Sequence, residues 1–227
     1  MSTAASRRKG PDPAAEPPGA RRRGRPPKGA GQGEADLLAA AARAFSEHGF
    51  EGATLRGIAA AARVDPALIA YRYGGKTALW RAVIEDFAEQ VEAALDAAGD
   101  AADRRLAALV DGLAGLACRR PELVRLILRE STCAEVGERA ALIRDLLTRP
   151  IHARLLPLVA AVEAARPEPD RADPEVRLFA LLGAICMVLA TRPSLAAFTD
   201  IAADEARLRD ELRRSLRLSA GCAAAER

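Results

Sequence analysis

The side chains of this 227-residue chain that stand out chemically are basic, and one sits where a basic group is locally disfavoured. Lys76 follows Gly74-Gly75 at the start of a long helical pattern. There the positive end of the helix macrodipole penalises a cation by a few tenths up to about 1 kcal/mol. A rule broken locally implies compensation, and a phosphate held jointly by the ammonium and the helix's free amides would supply it. Groups suited to catalysis are sparse. His48 and His152 lie far apart with no motif around them, and the sequence carries no phosphate-cradling glycine loop. Cys118, Cys133, Cys186 and Cys222 show neither a CxxC nor a metal-ligand spacing. These observations argue against an enzyme, a metal centre or a cofactor. Four such thiols, with no apolar signal segment near Met1, are expected to be reduced in a cytoplasmic protein.

The elements around Lys76 explain how a cation there would meet a phosphate. Thr54 is an N-cap type, followed by Leu55, Ile58, Ala59 and Ala62 at helical spacing. Arg63-Val64 interrupts the pattern. Asp65-Pro66 restarts it, because Asp accepts from orphan amides and Pro tolerates the first helical position. Ala67 to Tyr73 then makes about two turns, closed by Gly74-Gly75. Short helix, tight turn, short helix is the helix-turn-helix pattern, whose second helix enters the major groove of DNA. A preceding helix over Asp36–His48 places Leu38, Ala41, Ala42 and Phe45 on one face to complete a three-helix head. Gly49 is its expected left-handed terminator.

Leu37 to Phe87 resembles the DNA-binding head of TetR-family transcriptional repressors. The resemblance rests on the FxxxGF turn at Phe45–Phe50, the T-x-R-x-I-A run from Thr54, the V-D-P-A-L-I run from Val64, and the aromatic-Gly-x-Lys close at Tyr73–Lys76. It implies that Thr54 and Lys76 hold phosphates, that Arg56 and Arg72 reach guanine edges, and that Tyr71 meets a phosphate or a thymine methyl. Three positions depart from the family pattern. Arg63 replaces the usual turn glycine, so either it adopts a left-handed conformation at about 1 kcal/mol or the turn is re-routed. Ala70 replaces a common phosphate-binding tyrosine, and Gly57 stands where a capping-box Glu would sit.

Charge is distributed unevenly. Residues 1–36 carry eight basic against four acidic side chains, a net +4, which leaves −1 on the remainder of a chain of net +3. Residues 1–33 have few large apolar side chains and are expected to be a disordered leader. Within it, Arg23-Gly24-Arg25-Pro26 resembles an AT-hook. Arg23 and Arg25 would seek the potential of a narrow A·T minor groove, while a plain basic tail making phosphate contacts is an equal reading. An architectural A·T-rich DNA binder working through this leader is the alternative function.

With 4% aromatic residues, much alanine and no strand-like runs, the whole chain is expected to be all-α. The expected domains are the head at 34–80 and a helical ligand-binding and dimerisation domain at 81–220, joined by a long helix from Lys76. Candidate pocket residues are Leu113, Leu116, Ile127, Glu130, Leu146, His152 and Phe179. Glu130 continues an apolar row, where a carboxylate must find a partner, either a cationic ligand or a nearby arginine. Pro150 and Pro157 should kink the helix over Glu138–Ala165. Leu178–Ala190 is thirteen residues without a charge, too short to span a bilayer and apolar all round. One side can pack on its own domain and the other would need a second copy. Leu182, Ala184, Ile185 and Leu189, with Leu208, Leu212 and Leu216 of the last helix, are the expected dimer interface, as the TetR resemblance implies. The expected partners are palindromic double-stranded DNA, a second copy and a small-molecule inducer, with no membrane. Only Phe179 and Phe198 among eight aromatics lie beyond the long helix, which points to an aliphatic ligand.

Overall fold

The computed structural model describes residues 30–97, 105–132 and 137–219, with side chains described from Gly33 to Ser215 within them, except that of Arg105. Every regular element among the described residues is helical. In chain order these are α1 (Ala30–Gly52), α2 (Leu55–Ala62), α3 (Pro66–Tyr73), α4 (Lys76–Asp96), α5 (Arg105–Arg119) and α6 (Pro121–Thr132). There follow α7 (Glu138–Ile143), a π turn (Arg144–Thr148), α8 (Arg149–Ala164), α9 (Pro174–Ala190), α10 (Arg192–Leu195) and α11 (Glu205–Ser219). A helix-turn-helix head, α1 to α3, is followed by a helical body.

The head is punctuated by polar groups. The Thr54 hydroxyl oxygen accepts from the Gly57 amide at 3.1 Å, and Asp65 accepts from the Ala67 amide at 2.7 Å. Each satisfies an orphan donor at a helix start. Gly57 suits the first contact, because a Cβ there would lie 3.1 Å from the Thr54 oxygen. Arg63 takes the left-handed conformation, φ 56°, and its amide and that of Val64 bond back to Ala60 and Ala59. That closure ends α2 as a glycine would, without re-routing the turn. Gly49 leaves the helical conformation with φ 71°, so the first helical run of α1 ends at His48 as expected and a separate short turn carries the chain to Gly52.

Beneath these caps one apolar cluster runs from Leu37, Phe45 and Ile58 through Trp80 and Phe87 to Leu123, Leu155 and Leu181. α1 packs on α2, α4 and also α6, so the head rests directly on the body. The two prolines behave differently from a simple kink. The π turn immediately precedes Pro150, whose missing amide removes the bond an α-helix would need there, and Pro157 is carried inside α8. Glu163 at the end of α8 is buried, accepting from the Ala172 amide and from Arg177, each at 2.9 Å. Among the described residues no helix is long and apolar enough to cross a membrane.

Candidate functional site

α3 lies on α2 and α4 through Ile69, which is fully buried, and turns Pro66, Ala67, Ala70, Tyr71 and Arg72 to solvent. Tyr71 is 91% exposed, an unusual position for a large aromatic with nothing packed on it. Beside it Thr54 and Arg56 are exposed on α2. Thr54 uses its hydroxyl oxygen as the cap acceptor, so its proton remains a donor for a phosphate. Four of the five expected DNA contacts in the head, Thr54, Arg56, Tyr71 and Arg72, are therefore exposed.

Two of the five are also bound within the chain. Lys76 donates to the carbonyls of Glu51 at 3.2 Å and Ala53 at 3.3 Å, and its ammonium sits 4.7 Å from the centroid of the Phe50 ring. Orphan carbonyls at the end of α1 thus offset the unfavourable dipole of α4, and no phosphate is needed to account for a lysine at this position. Arg72 lies 3.6 Å from Glu34, which also accepts from the Tyr73 hydroxyl at 3.2 Å. Burial and the Glu34 charge hold the Tyr73 phenol above its ordinary value. Arg23 and Arg25 of the leader lie outside the described residues.

With this geometry in hand, comparison is informative. The sequence profile of bacterial regulatory proteins of the TetR family matches residues 37–83, the span of the helix-turn-helix. Over that span the chain is similar to TetR-family regulators. Among solved structures, a TetR-like regulator from Rhodococcus sp. RHA1 superposes with a TM-score of 0.57 at 24% identity, covering 83% of this chain and 96% of that one. A putative fatty acid metabolism regulator from Clostridium perfringens gives 0.63 at 18%, covering 80% and 96%. FadR from Bacillus subtilis, solved in complex with stearoyl-CoA, gives 0.55 at 16%, covering 81% and 97%. These likenesses establish the TetR-like fold along most of the chain. No curated protein sequence matches it.

Behind the head, the body holds a half-open apolar chamber of about 250 Å³ between α4, α5, α6, α8 and α9. Of the expected pocket residues, Leu113, Leu116, Ile127 and Phe179 line it, joined by Phe87 and Val91 of α4. Ser131 and Thr148 are the polar side chains on its wall, beside the Cys186 thiol, and no charged side chain reaches it. Burial pushes that thiol's pKa up, keeping it protonated. The other three expected pocket residues lie outside this chamber. Glu130 is buried but accepts from Arg139 at 3.0 Å, so its charge is met within the chain. His152 pairs with Glu175 at 2.7 Å on the surface, and Leu146 faces a separate groove along α4.

The expected dimer face is likewise divided by the structure. Ile185, Leu189, Leu208 and Leu212 are buried within the chain's own core. The turn of the helix puts Ala184 and Gly183 on the opposite, exposed side, with Val176, Phe179 and Met187; Leu182 lies between the two faces. The Leu216 side chain lies outside the described ones. Sequence reasoning used Phe50 only as part of the FxxxGF turn and missed Arg139, whose guanidinium lies 4.3 Å from the Phe50 ring centroid and is tied to Glu130. It also missed Glu163, although the spacing Leu155, Val159, Glu163 is the same interrupted apolar row that drew attention to Glu130.

Proposed function

We propose that this chain is a DNA-binding regulator of the TetR type, a homodimeric repressor released from a palindromic operator when an aliphatic or acyl compound enters the apolar chamber. The observation that carries the reading is the continuity of α4. Its first residue is bonded to the end of α1 in the head, while Phe87 and Val91 on the same helix line the chamber. A ligand that fits better when α4 is tilted lowers DNA affinity by that difference, typically about 1–3 kcal/mol. The chamber's aliphatic lining favours a hydrocarbon chain, and solved relatives of this fold include a regulator bound to stearoyl-CoA. Phe179 lines the chamber and also stands on the exposed face of α9, so a second copy seated there would help roof the ligand.

The test starts from an operator selected by the full-length protein from random duplexes. Fatty acids of graded length and their CoA thioesters are then added while binding is followed by fluorescence anisotropy. Release by one chain length, with a matching thermal shift of the free protein, supports the reading. An affinity indifferent to every ligand removes the induced-release mechanism. Arg56→Ala is expected to cost about 1–3 kcal/mol on the selected site and to relax one base position. Removal of residues 1–33 should lower affinity but keep the palindromic preference. Loss of all binding would instead favour an architectural protein acting through its leader.

A further inference from the structure

Among the described residues Arg63 is the one non-glycine residue at a positive φ, 56°. It closes α2 and stands in the turn that leads into α3. Backbone bonds hold that turn: the Arg63 amide donates to the Ala60 carbonyl at 3.2 Å, and the Val64 amide to that of Ala59 at 3.0 Å. Glycine would supply the same amides without left-handed strain. The Arg63 side chain gives the folded protomer no polar contact in return. It is exposed, and its guanidinium makes no hydrogen bond or ion pair with the described residues. Solubility does not explain it either, because Gly57, Ala60 and Ala61, exposed on the same helix in relaxed backbone, carry no charge. A strained residue that gives the fold nothing points to a function outside it.

Its placement says what that function is. The turn opens directly into α3, whose start is fixed by Asp65, two residues on. In a helix-turn-helix the N-terminal residues of the second helix reach base edges, while the first helix crosses the sugar-phosphate backbone. Arg63 ends the first and leads the second, so it arrives where the protein passes from backbone to groove. Arg56, Ala60 and Arg63 also follow at i, i+4 and i+7 along one exposed edge of α2. Thr54, Gly57 and Ala61 instead line the groove against α1. We propose that Arg63 clamps a DNA phosphate beside the recognition helix, the contact that offsets its left-handed strain. A guanidinium fork matches two phosphate oxygens, and the nearby Asp65 carboxylate is engaged by the Ala67 amide at 2.7 Å. Phosphate contacts fix position without reading sequence, so Arg63 sets affinity and leaves base choice to other side chains. The inference rests on the DNA-binding reading of the head.

Arg63→Gly separates a DNA contact from a structural role, because it relieves the fold while removing the cation. In the full-length protein it should raise the melting temperature by about 2 °C. Binding to a selected operator and to a random duplex should weaken alike, roughly tenfold per bound copy at about 0.1 M salt. The slope of log affinity against log salt should become shallower by about one per copy. Arg63→Asn, which also tolerates the left-handed region, should have the same effect on binding, and Arg63→Lys should keep the slope. Arg214→Gln removes an exposed charge from α11 of the body and should leave the slope as it was. A slope unchanged in Arg63→Gly and Arg63→Asn, a slope lost equally in Arg63→Lys, a loss confined to one base pair of the operator, or an equal loss in Arg214→Gln would each overturn the proposal. Arg56→Ala, run beside them, keeps two failures apart. A wild-type protein that binds no duplex sinks the DNA-binding reading and this one with it. Binding that responds to Arg56→Ala but not to Arg63→Gly sinks this one alone.

Discussion

Helices α3 and α9 each turn one face to solvent, and the two faces are built in opposite ways. α3 shows Ala67, Ala70, Tyr71 and Arg72, and is fixed by the Asp65 cap at one end and the Arg72–Glu34 contact at the other. α9 shows Val176, Phe179, Ala184 and Met187 and is fixed by what lies beneath it, Leu178, Leu181, Ile185 and Leu189. A surface that reads a rigid duplex needs placement more than area, and short-range polar bonds supply placement. Exposed Phe and Met instead leave a burial term of about 25 cal/mol per Å² uncollected, which favours covering them. The head is thus organised by punctuation and the body by apolar bulk.

The sharpest way to break this contrast uses two neighbours on α9. Ile185→Arg should put an unpaired charge in the core, cost several kcal/mol and unfold the chain. Ala184→Arg, one residue away, should leave the protomer folded and dissociate the proposed dimer, as read by sedimentation at micromolar concentration. A dimer that survives Ala184→Arg would give the outer face of α9 another role.

Next in size is Glu163→Ala, which removes one partner from a buried ion pair and should cost about 3 kcal/mol in denaturant unfolding. Its carboxyl is held below the ordinary 4.5 by the Ala172 amide first, then by the charges of Arg177 and Arg166. A depressed carboxylate contributes its stability fully above its unfolded value. That contribution is lost as pH falls from about there through the lower folded value. Glu163→Gln should flatten the corresponding acid limb of stability.

Lys76→Met tests the head. It should lower stability by about 1 kcal/mol, because two carbonyls lose their donor, while the salt dependence of DNA binding stays as it was. A salt slope shallower by about one would restore Lys76 to the phosphates. The smallest change expected is a gain: Arg63→Gly should stabilise by about 0.5–1 kcal/mol, since its φ of 56° suits glycine.

These contrasts also explain what could be read from the sequence. Thr54, Asp65 and Gly49 act on groups within a few residues of themselves, so their roles were legible before any folding. So were the helical class and the apolar character of α9. Which side of α9 faces inward is decided by α5, α6 and α8, distant in sequence, so the burial of Ile185 in the chain's own core was not legible there. The same reason hid Lys76's partners, which lie across the head at Glu51 and Ala53. Glu130 was legible as a charge needing a partner, but choosing between ligand and Arg139 required the fold.

The π turn at Arg144–Thr148 has a consequence for how one rod serves two rooms. Each residue advances an α-helix by about 100°, so the single extra residue of a wider turn shifts the phase of everything after it by about that angle. Before the turn, Arg139, Ala140 and Leu142 look into the seam between head and body; Leu147 and Thr148 at its end and Ile151 beyond it line the apolar chamber. The turn works as a phase shifter between two otherwise straight segments. Losing one residue there would leave the helix intact yet dial its far half onto the wrong wall.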